Sequence, residues 1–420
     1  MTITNWAGNV VFAASSLLRP RSEDELRVLV ARNPKIRVVG AGHSFSAVAD
    51  SAGALVTLDD MPREIEIDSA RSTVKVSASI RYADLAPRLQ AHGFALANLA
   101  SLPHVTVAGA TATGTHGSGD GNGSLATAVA GIDLVTAGGD HVRVPAGEVN
   151  AAAVGMGTFG IMTGLTLRLV PSFAVRQWVY DDLPRAALTG DFDAIFASAY
   201  SVSAFTTWRD PGIFDQLWLK RVSPEQAGDH PDGAAPNVWH GARLAGRQRH
   251  PVPGMPTEFT TAQGGVAGPW HDRLPHFRAE FTPSAGDELQ SEYLLPRDAA
   301  VPALASLDDL APRIAELVLV SEFRTIAADE LWLSPAYERD TVAFHFTWRN
   351  DPVAVARLLP DIEDRLAPFR PRPHWGKLFT LPAARVRDVY PRIADFTRLA
   401  NTYDPGGKFR NDFLTGILEA

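Results

Sequence analysis

The chain has 420 residues, of which 45% are hydrophobic, enough for a sizeable core and far from the composition of disordered proteins. Its 39 basic and 47 acidic side chains give a net charge of −8, so it lacks the basic surface that nucleic acids require. The absence of cysteine excludes disulfides, thiolate metal sites and cysteine nucleophiles. No metal-binding motif, signal peptide or membrane span is recognisable, so we expect a metal-free, soluble, cytoplasmic protein.

The first 170 residues predict short strands separated by glycine and aspartate turns. A β-branched run or an alternation of apolar and polar residues marks each strand, and two pairs of strands form hairpins. A helix is predicted over 81–92, although Pro87 argues against an unbroken one. The predicted strands and hairpins cover residues 35–39, 54–58, 64–77, 132–144 and 161–169.

The remainder of the chain predicts larger elements. Residues 209–275 are rich in Pro, Gly, Trp and His without a clear period, and we interpret them as mostly long loops. Beyond them strands alternate with helices, which is typical of an α+β domain whose sheet is covered by helices on one side. The predicted strands cover 288–295, 317–326 and 342–348, and the predicted helices cover 300–310 and 352–366.

Residues 36–60 share features with the dinucleotide-binding fingerprint of NAD enzymes. A strand leads into a Gly-x-Gly sequence at 40–42, and Asp59 follows at about the 20-residue distance of a ribose-binding acid. Phe45, however, occupies the position where that motif needs Gly or Ala for close packing of helix and strand. We therefore favour a different arrangement, in which the backbone N–H groups of 40–44 bind a pyrophosphate as an anion nest.

A second glycine-rich segment, at residues 101–123, has the sequence SLPHVTVAGATATGTHGSGDGNG. Its backbone and small hydroxyl side chains are suited to hydrogen bonds with phosphate. A single run of this kind is more often a flexible loop than a ligand site. Two such segments within the first 125 residues favour a dinucleotide cofactor.

Motifs along nearly the whole chain resemble one group of flavoproteins. The vanillyl-alcohol-oxidase/PCMH superfamily is suggested by VGAGHSF (39–45), SLPHVTVAGATATGTHGSG (101–119) and FGIMTGLTL (159–167). One subgroup, the alditol (xylitol) oxidases with the sugar-lactone oxidases as neighbours, is suggested by SEFRTIAADELWLSPAY (321–337), AFHFTW (343–348), RPHWGKLFT (372–380) and DPGGKFRNDF (404–413).

This resemblance implies an α+β, two-domain PCMH-type FAD-binding fold with an α+β cap domain that binds the substrate. It implies an FAD-binding domain at 1–172, a cap at 173–375 and a C-terminal segment, 376–420, that returns to the first domain. FAD is then held between the two domains and bonded covalently through the imidazole of His43 to its 8α-methyl carbon. Ala41 stands where close relatives often have Ser, a change that a backbone contact tolerates.

The same resemblance assigns further FAD contacts, mostly through backbone groups and small hydroxyls. Met162 corresponds to the position whose backbone meets the adenine end. The other cofactor contacts are assigned to Gly40, Ala41, Gly42, Ser44, Phe45, Ser101, Thr106, Gly109, Thr113, Gly114, Thr115 and His116.

Strand geometry and the resemblance together indicate a substrate site. Alternate residues of a strand share a face, so Glu322 points with Arg324, and His345 points with Thr347. A carboxylate accepts hydrogen bonds from hydroxyls, while Arg and Lys donate them, so such a cavity can bind a linear polyol along its length. The resemblance assigns substrate binding to Ser101, Glu322, Arg324, Thr347 and Lys377. For catalysis we expect Lys377 and Arg324 to stabilise the developing charge and His345, or alternatively a water, to accept the hydroxyl proton.

The activity implied is that of an FAD-dependent alditol oxidase. It removes a hydride from a terminal CH–OH of a polyol such as xylitol or sorbitol, and oxygen is reduced to hydrogen peroxide. A sugar-1,4-lactone oxidase, a flavin dehydrogenase with another electron acceptor and a non-enzymatic sugar-binding module are the alternatives. We expect a monomer with no nucleic-acid or membrane partner. Glu292 is interpreted as a packing or subunit-contact residue, and His276 has no evident role.

Overall fold

The computed structural model of the chain describes residues 2–223, 235–280 and 287–419. Within these ranges, no helix combines the length and the apolar character needed to cross a membrane. Part of the predicted loop region 209–275, residues 224–234, lies outside the described residues. The cytoplasmic location and the monomeric state stay predictions.

The elements alternate between short strands in the first third of the chain and longer strands and helices in the rest. The strands are β1 (Ser16–Leu18), β2 (Ile36–Val38), β3 (Ala54–Val56), β4 (Ile65–Asp68), β5 (Thr73–Ser77), β6 (Phe94–Ala95), β7 (Val129–Val135), β8 (His141–Arg143), β9 (Ile161–Arg168), β10 (Val170–Pro171), β11 (Ala174–Pro184), β12 (Ser201–Thr206), β13 (Ile213–Ser223), β14 (Val238–Trp239), β15 (Ala242–Leu244), β16 (Gly268–Pro269), β17 (Glu288–Pro296), β18 (Val318–Ile326), β19 (Thr341–Arg349) and β20 (Arg372–Pro373). The α-helices are α1 (Glu23–Arg32), α2 (Tyr82–Ala91), α3 (Val107–Ala112), α4 (Val149–Ala152), α5 (Arg185–Gly190), α6 (Phe192–Phe196), α7 (Ala300–Ser306), α8 (Ala311–Leu317), α9 (Pro352–Leu366), α10 (Ala383–Val389), α11 (Ile393–Tyr403) and α12 (Asp412–Leu418).

Two small sheets and one large sheet organise the molecule. A parallel sheet of order β1-β3-β2 and an antiparallel sheet of order β4-β5-β9-β7-β8 use the first 168 residues, and β6 pairs with β10 beside them. The large sheet has the order β14-β15-β11-β13-β12-β18-β19-β17-β20, with β16 added alongside β11. This mixture of helices with antiparallel sheets is the α+β class that the sequence predicts. The domain limits at 172 and 375 stay predictions.

Most of the predicted elements are confirmed. Both hairpins form antiparallel pairs, β4 with β5 and β7 with β8, and the three C-terminal strands lie at the predicted positions. Helix α2 continues through Pro87. The apolar face of α2, which includes the fully buried Leu85 and Leu89, packs into the core, and this packing outweighs the loss of one helical hydrogen bond.

The prediction of mostly long loops over 209–275 is wrong at its start. Strand β13 occupies Ile213–Ser223 and pairs with β11 along its whole length. Its central residues are buried on both faces, with Trp218 and Lys220 on one and Leu217 and Leu219 on the other. A strand that is buried on both faces shows no alternation of apolar and polar residues, so its sequence gives no period-2 signal.

The C-terminal segment is attached to the parallel sheet by hydrogen bonds to backbone carbonyls. Lys35 Nζ donates to the carbonyl of Gly407 at 2.6 Å, and the N–H of Ile36 donates to the carbonyl of Lys408 at 3.2 Å. The buried Arg37 guanidinium donates to the carbonyl of Phe409. These bonds fix the end of the chain against the sheet from which the first glycine-rich segment emerges.

Asn411 adds a second set of bonds at this junction. Its Nδ2 donates to the carbonyls of Ala47 at 2.9 Å and Asp50 at 2.8 Å. Its Oδ1 accepts from the N–H of Leu414 at 3.0 Å and so caps helix α12. One buried amide therefore both starts the last helix and attaches it to the segment that follows the first glycine motif.

We predict that Asn411→Ala lowers the free energy of unfolding by about 2 kcal/mol, because it removes a helix cap and two buried hydrogen bonds. Thr402→Ala is the control, since Thr402 is exposed and its hydroxyl bonds to Leu399 of its own helix. The control should change stability by less than about 0.5 kcal/mol. Urea unfolding followed by circular dichroism measures both, and equal effects would contradict the proposed role of the junction.

Candidate active site

A cavity of about 470 Å³ joins the two glycine-rich segments to one face of the large sheet. Nearly all the predicted site residues contribute to its wall. Those that line it are Gly40, Ala41, Gly42, His43, Ser44, Phe45, Ser101, Thr106, Gly109, Thr113, Thr115, His116, Met162, Glu322, Arg324, His345, Thr347 and Lys377.

Gly114 is the predicted cofactor contact that does not line this cavity. Its φ is +67°, a conformation that favours glycine, and a Cβ added there would lie 3.2 Å from Cδ of Pro335. The backbone of its loop and close packing therefore require glycine at this position, and its assignment as an FAD contact stays a prediction.

The first glycine-rich segment has the geometry of an anion nest. Within the described parts of the chain, the backbone N–H groups of residues 40–44 donate to no other protein group. Gly42 has a φ of +70°, and a Cβ on Gly40 would lie 2.6 Å from Oγ1 of Thr106 in the second segment. The two segments thus approach each other as closely as glycine allows, and the free N–H groups suit the diphosphate of FAD.

His43 lies at the edge of this nest. Its imidazole is half-buried, and its ring centroid is 5.0 Å from that of Trp6. Burial, with the positive charge of Lys377 as the next cause, lowers the pKa of His43 to about 4. The ring is therefore neutral at pH 7 and offers a nitrogen lone pair, which a covalent bond to a carbon atom requires.

The loop that carries Lys377 lies between the first glycine segment and strand β17. The N–H of Phe45 donates to the carbonyl of Gly376 at 2.7 Å, and the N–H of Leu378 donates to the carbonyl of Gln290 at 2.8 Å. Lys377 Nζ donates to the side chain of Gln290 and lies 5.3 Å from the ring centroid of Phe45. Burial lowers the pKa of the Lys377 ammonium.

The substrate-side residues come together because their strands are neighbours in the large sheet. His345 on β19 is in register with Glu292 on β17 and with Glu322 on β18. Arg324 is in register with Ala343, whose small side chain leaves room above the strand. The prediction that Glu322 shares a face with Arg324, and His345 with Thr347, is confirmed, since all four line the same cavity.

Arg324 is the centre of a buried charge cluster. Its Nη2 is 2.7 Å from Oε1 of Glu292, and its Nε is 3.5 Å from Oε2 of Glu322. Its Nη1 donates to Oγ of Ser101 at 3.3 Å. Burial alone would lower the pKa of the guanidinium, but the two carboxylates outweigh it and raise that pKa. The guanidinium of Arg324, which is only 6% exposed, therefore pairs with both carboxylates.

Glu292 is a functional candidate that the sequence analysis missed: with 2% of its surface exposed, it lines the cavity and not a subunit-contact surface. Oε1 is 3.2 Å from Nε2 of His116, and Oε2 is 3.4 Å from Nδ1 of His345. Burial opposes ionisation, yet His116, Arg324 and His345 together hold the pKa of Glu292 well below its usual range. The signal that could have found it is the alternation of polar residues at Glu288, Gln290 and Glu292.

His345 and His276 complete the polar wall. Burial lowers the pKa of His345 against the pull of Glu292, so its ring is neutral at pH 7, and its Nε2 is 3.2 Å from Oγ1 of Thr347. His276, which had no predicted role, lines the cavity with its Nε2 2.8 Å from Oε1 of Glu322. It lies in a loop 46 residues before Glu322, and loops carry no periodic signal that could have indicated this contact.

We predict that Glu292→Gln costs about 3 kcal/mol of stability at pH 7, because it leaves Arg324 buried with one carboxylate fewer. The folded-state pKa of Glu292 is depressed, so its contribution is complete above the unfolded value near 4.5 and is lost as the pH falls below it. The difference between wild type and variant should therefore shrink in acid. Urea unfolding at pH 7 and pH 3.5 measures this, with the exposed Glu316→Gln as control. A cost that is the same at both pH values would contradict the ionised state of Glu292.

Comparison with known proteins identifies the family. A model described as an FAD binding domain matches residues 14–145, and one described as D-arabinono-1,4-lactone oxidase matches residues 287–417. Alditol oxidase from a Streptomyces species is 50% identical over 422 residues, which cover 99% of both chains. L-gulono-1,4-lactone dehydrogenase of Mycobacterium tuberculosis is 28% identical over 99% of this chain and 98% of its own.

A solved structure extends the comparison to the fold. Cholesterol oxidase from B. sterolicum superposes with a TM-score of 0.78 at 14% identity, covering 99% of this chain and 96% of that one. The chain therefore shares the fold of that cholesterol oxidase, a mixture of helices with antiparallel sheets. With half of its residues shared end to end with an alditol oxidase, this chain belongs to the alditol oxidase family of FAD-dependent oxidoreductases.

Proposed function

We propose that the protein oxidises a terminal CH–OH of linear polyols such as xylitol and sorbitol, with oxygen reduced to hydrogen peroxide. The observation that carries this proposal is the set of hydrogen-bond acceptors and donors at the buried Glu322, Arg324 and Thr347 and the half-buried Lys377, in one cavity with the anion nest. FAD, when bound, supplies the hydride acceptor and the route of the electrons to oxygen. The residues that would hold it are those of the two glycine-rich segments.

Binding of a neutral polyol is matched to the charges of the site. The carboxylate of Glu322 is ionised, because Arg324 and then His276 outweigh burial and lower its pKa. It accepts hydrogen bonds from substrate hydroxyls, whereas Lys377 and Ser101 can donate to them. The charges of Arg324 and Lys377 together offset the two carboxylates, so the substrate need bring no charge of its own. A sugar lactone carries fewer hydroxyl donors for this set, which favours the polyol over the lactone alternative.

Chemistry at the substrate requires a proton acceptor and stabilisation of negative charge on oxygen. His345 is neutral and buried, with its Nδ1 3.4 Å from Oε2 of Glu292 and its Nε2 3.2 Å from Oγ1 of Thr347. It can take the hydroxyl proton, while Lys377 and Arg324 stabilise the alkoxide-like oxygen that results. The contacts of Glu322 and Thr347 hold the reacting carbon in one orientation, which lowers the entropic part of the barrier.

We predict that xylitol and sorbitol bleach the flavin absorbance anaerobically and release hydrogen peroxide in air. Ethylene glycol should react far more slowly, because two carbons cannot reach both ends of the polar set. Equal activity on a γ-lactone would favour a lactone oxidase instead. Dye reduction without peroxide would favour a flavin dehydrogenase, and a colourless purified protein would favour a sugar-binding module.

We predict a covalent bond between His43 and FAD, supported by the neutral imidazole beside the nest and by the absence of cysteine. The wild-type protein should show a fluorescent flavin band on a denaturing gel. His43→Ala should lose that band, and the exposed His92→Ala should keep it. Release of the wild-type flavin into the supernatant after acid precipitation would show that the bond does not exist.

We predict that Lys377→Met slows anaerobic flavin reduction at saturating xylitol by about two orders of magnitude, because a donor aimed at developing charge is lost. Covalent FAD should be retained, since His43 holds the cofactor independently. Lys75→Met, at a side chain 53% exposed, is the control. Stopped-flow traces with the variant reduced at the wild-type rate, or a rise in KM alone, would remove Lys377 from the chemical step.

A further inference from the structure

Lys220 is a buried lysine that the mechanism above leaves unused. It lies on β13 with 1% of its surface exposed. Its Nζ donates to the carbonyl of Leu274, to the carbonyl of Pro275 at 3.1 Å and to Nδ1 of His276 at 3.2 Å. An ammonium has three N–H donors and no acceptor, so its three donors meet three acceptors. Nδ1 of His276 must therefore be the unprotonated nitrogen of that ring.

The tautomer of His276 determines which hydrogen bond the ring makes to the substrate site. With Nδ1 accepting, the neutral ring carries its proton on Nε2 and donates it to Oε1 of Glu322 at 2.8 Å. Burial lowers the pKa of His276 to about 4, which keeps the ring neutral. The ring packs edge-on against Trp218 and Phe205, with centroids 5.0 Å and 5.6 Å away, and its backbone N–H donates to the carbonyl of Ser101 at 3.0 Å. The donor to Glu322 is thus fixed in position and in direction.

The other contact of this carboxylate shows what the imidazole does. Oε2 of Glu322 is 3.5 Å from Nε of Arg324, whereas charge-assisted bonds between arginine and carboxylate are typically about 2.8 Å long. Nε of Arg324 has no hydrogen-bond partner in the described part of the chain. The carboxylate of Glu322 therefore lies closer to His276 than to the guanidinium of Arg324.

We propose that Lys220 and His276 form a relay that positions Glu322 for the hydroxyls of the substrate. Lys220 selects the tautomer of His276, and His276 keeps the carboxylate from turning towards Arg324. Both are positioning residues, and the proposal rests on the proposed function in that Glu322 is taken to bind the polyol.

The charged state of the relay sets the conditions of the test. Burial lowers the pKa of Lys220 to about 7, with Glu322 raising it and Arg324 lowering it further. At pH 6 the lysine is an ammonium, His276 is neutral and Glu322 is ionised, as the relay requires. Measurements are therefore made at pH 6 with the FAD-loaded protein.

Two substitutions of the histidine separate its contacts. In His276→Asn the side-chain amide reaches about as far as Nδ1 of the histidine, so it keeps the contact with Lys220. In His276→Gln the amide reaches about as far as Nε2, so it restores a hydrogen-bond donor to Glu322. His276→Asn should raise the KM for xylitol at least about tenfold, the usual value of a hydrogen bond to a charged group, and leave the saturated rate of flavin reduction nearly unchanged. His276→Gln should recover most of that loss. Equal losses in both variants, or a loss confined to kcat, would overturn the proposal.

Lys220→Met tests the first step of the relay. It should raise the KM in the wild-type background and add nothing in the His276→Asn background, because its effect passes through the ring. Additive losses would overturn the relay. If Lys220→Met does not fold, the two His276 variants and the NMR measurement of the His276 tautomer still test the proposal.

The tautomer itself can be measured without any substrate. Nitrogen-15 NMR of the histidine-labelled protein, with His276 assigned by its loss in His276→Asn, should place the proton on Nε2. A proton on Nδ1 in the wild type overturns the relay whatever the substrate proves to be. Failure of every polyol to reduce the wild-type flavin would instead contradict the proposed function, so the two failures are distinguishable.

Discussion

The buried guanidinium of Arg324 is the charge on which the substrate side of the molecule depends. Two carboxylates, Glu292 and Glu322, reach the same cavity from strands on either side of β19, and without a cation between them both could not stay ionised there. Removal of one partner from a buried ion pair typically costs about 3–5 kcal/mol. The small Ala343 in register with Arg324 leaves the space that lets one side chain serve both acids.

The same cluster joins the glycine-rich segments to the large sheet. Ser101 and His116, both from the second glycine-rich segment, contact Arg324 and Glu292 respectively. The loop of Lys377 makes a similar connection, since it hydrogen-bonds to the first glycine segment on one side and to β17 on the other. The residues proposed to recognise the substrate therefore also hold the two halves of the cavity together, which would keep the substrate hydroxyls at a fixed distance from the glycine-rich segments.

The sequence predicts those parts of the site that depend on local geometry. Alternation along a strand is sufficient to place Glu322 with Arg324, and glycine-rich runs are sufficient to indicate a dinucleotide. The sequence does not predict the role of a residue when that role depends on a partner that is distant in the chain. The alternation of polar residues at Glu288, Gln290 and Glu292 is a signal that an exposed strand also gives, and the contacts of Glu292 with Arg324, His116 and His345 distinguish the two. His276 and Lys220 come from a loop and from a strand buried on both faces, neither of which carries a periodic signal.

The proposed reaction breaks a terminal C–H bond of a polyol at this charge cluster. Anaerobic flavin reduction by xylitol that carries deuterium at its terminal carbons tests it most directly. The proposed chemistry predicts bleaching that is slower by a primary isotope effect, with no change when the deuterium is placed on the central carbon. Identical rates for terminally labelled and unlabelled xylitol during a chemistry-limited bleaching, or an isotope effect from the central carbon alone, would contradict it.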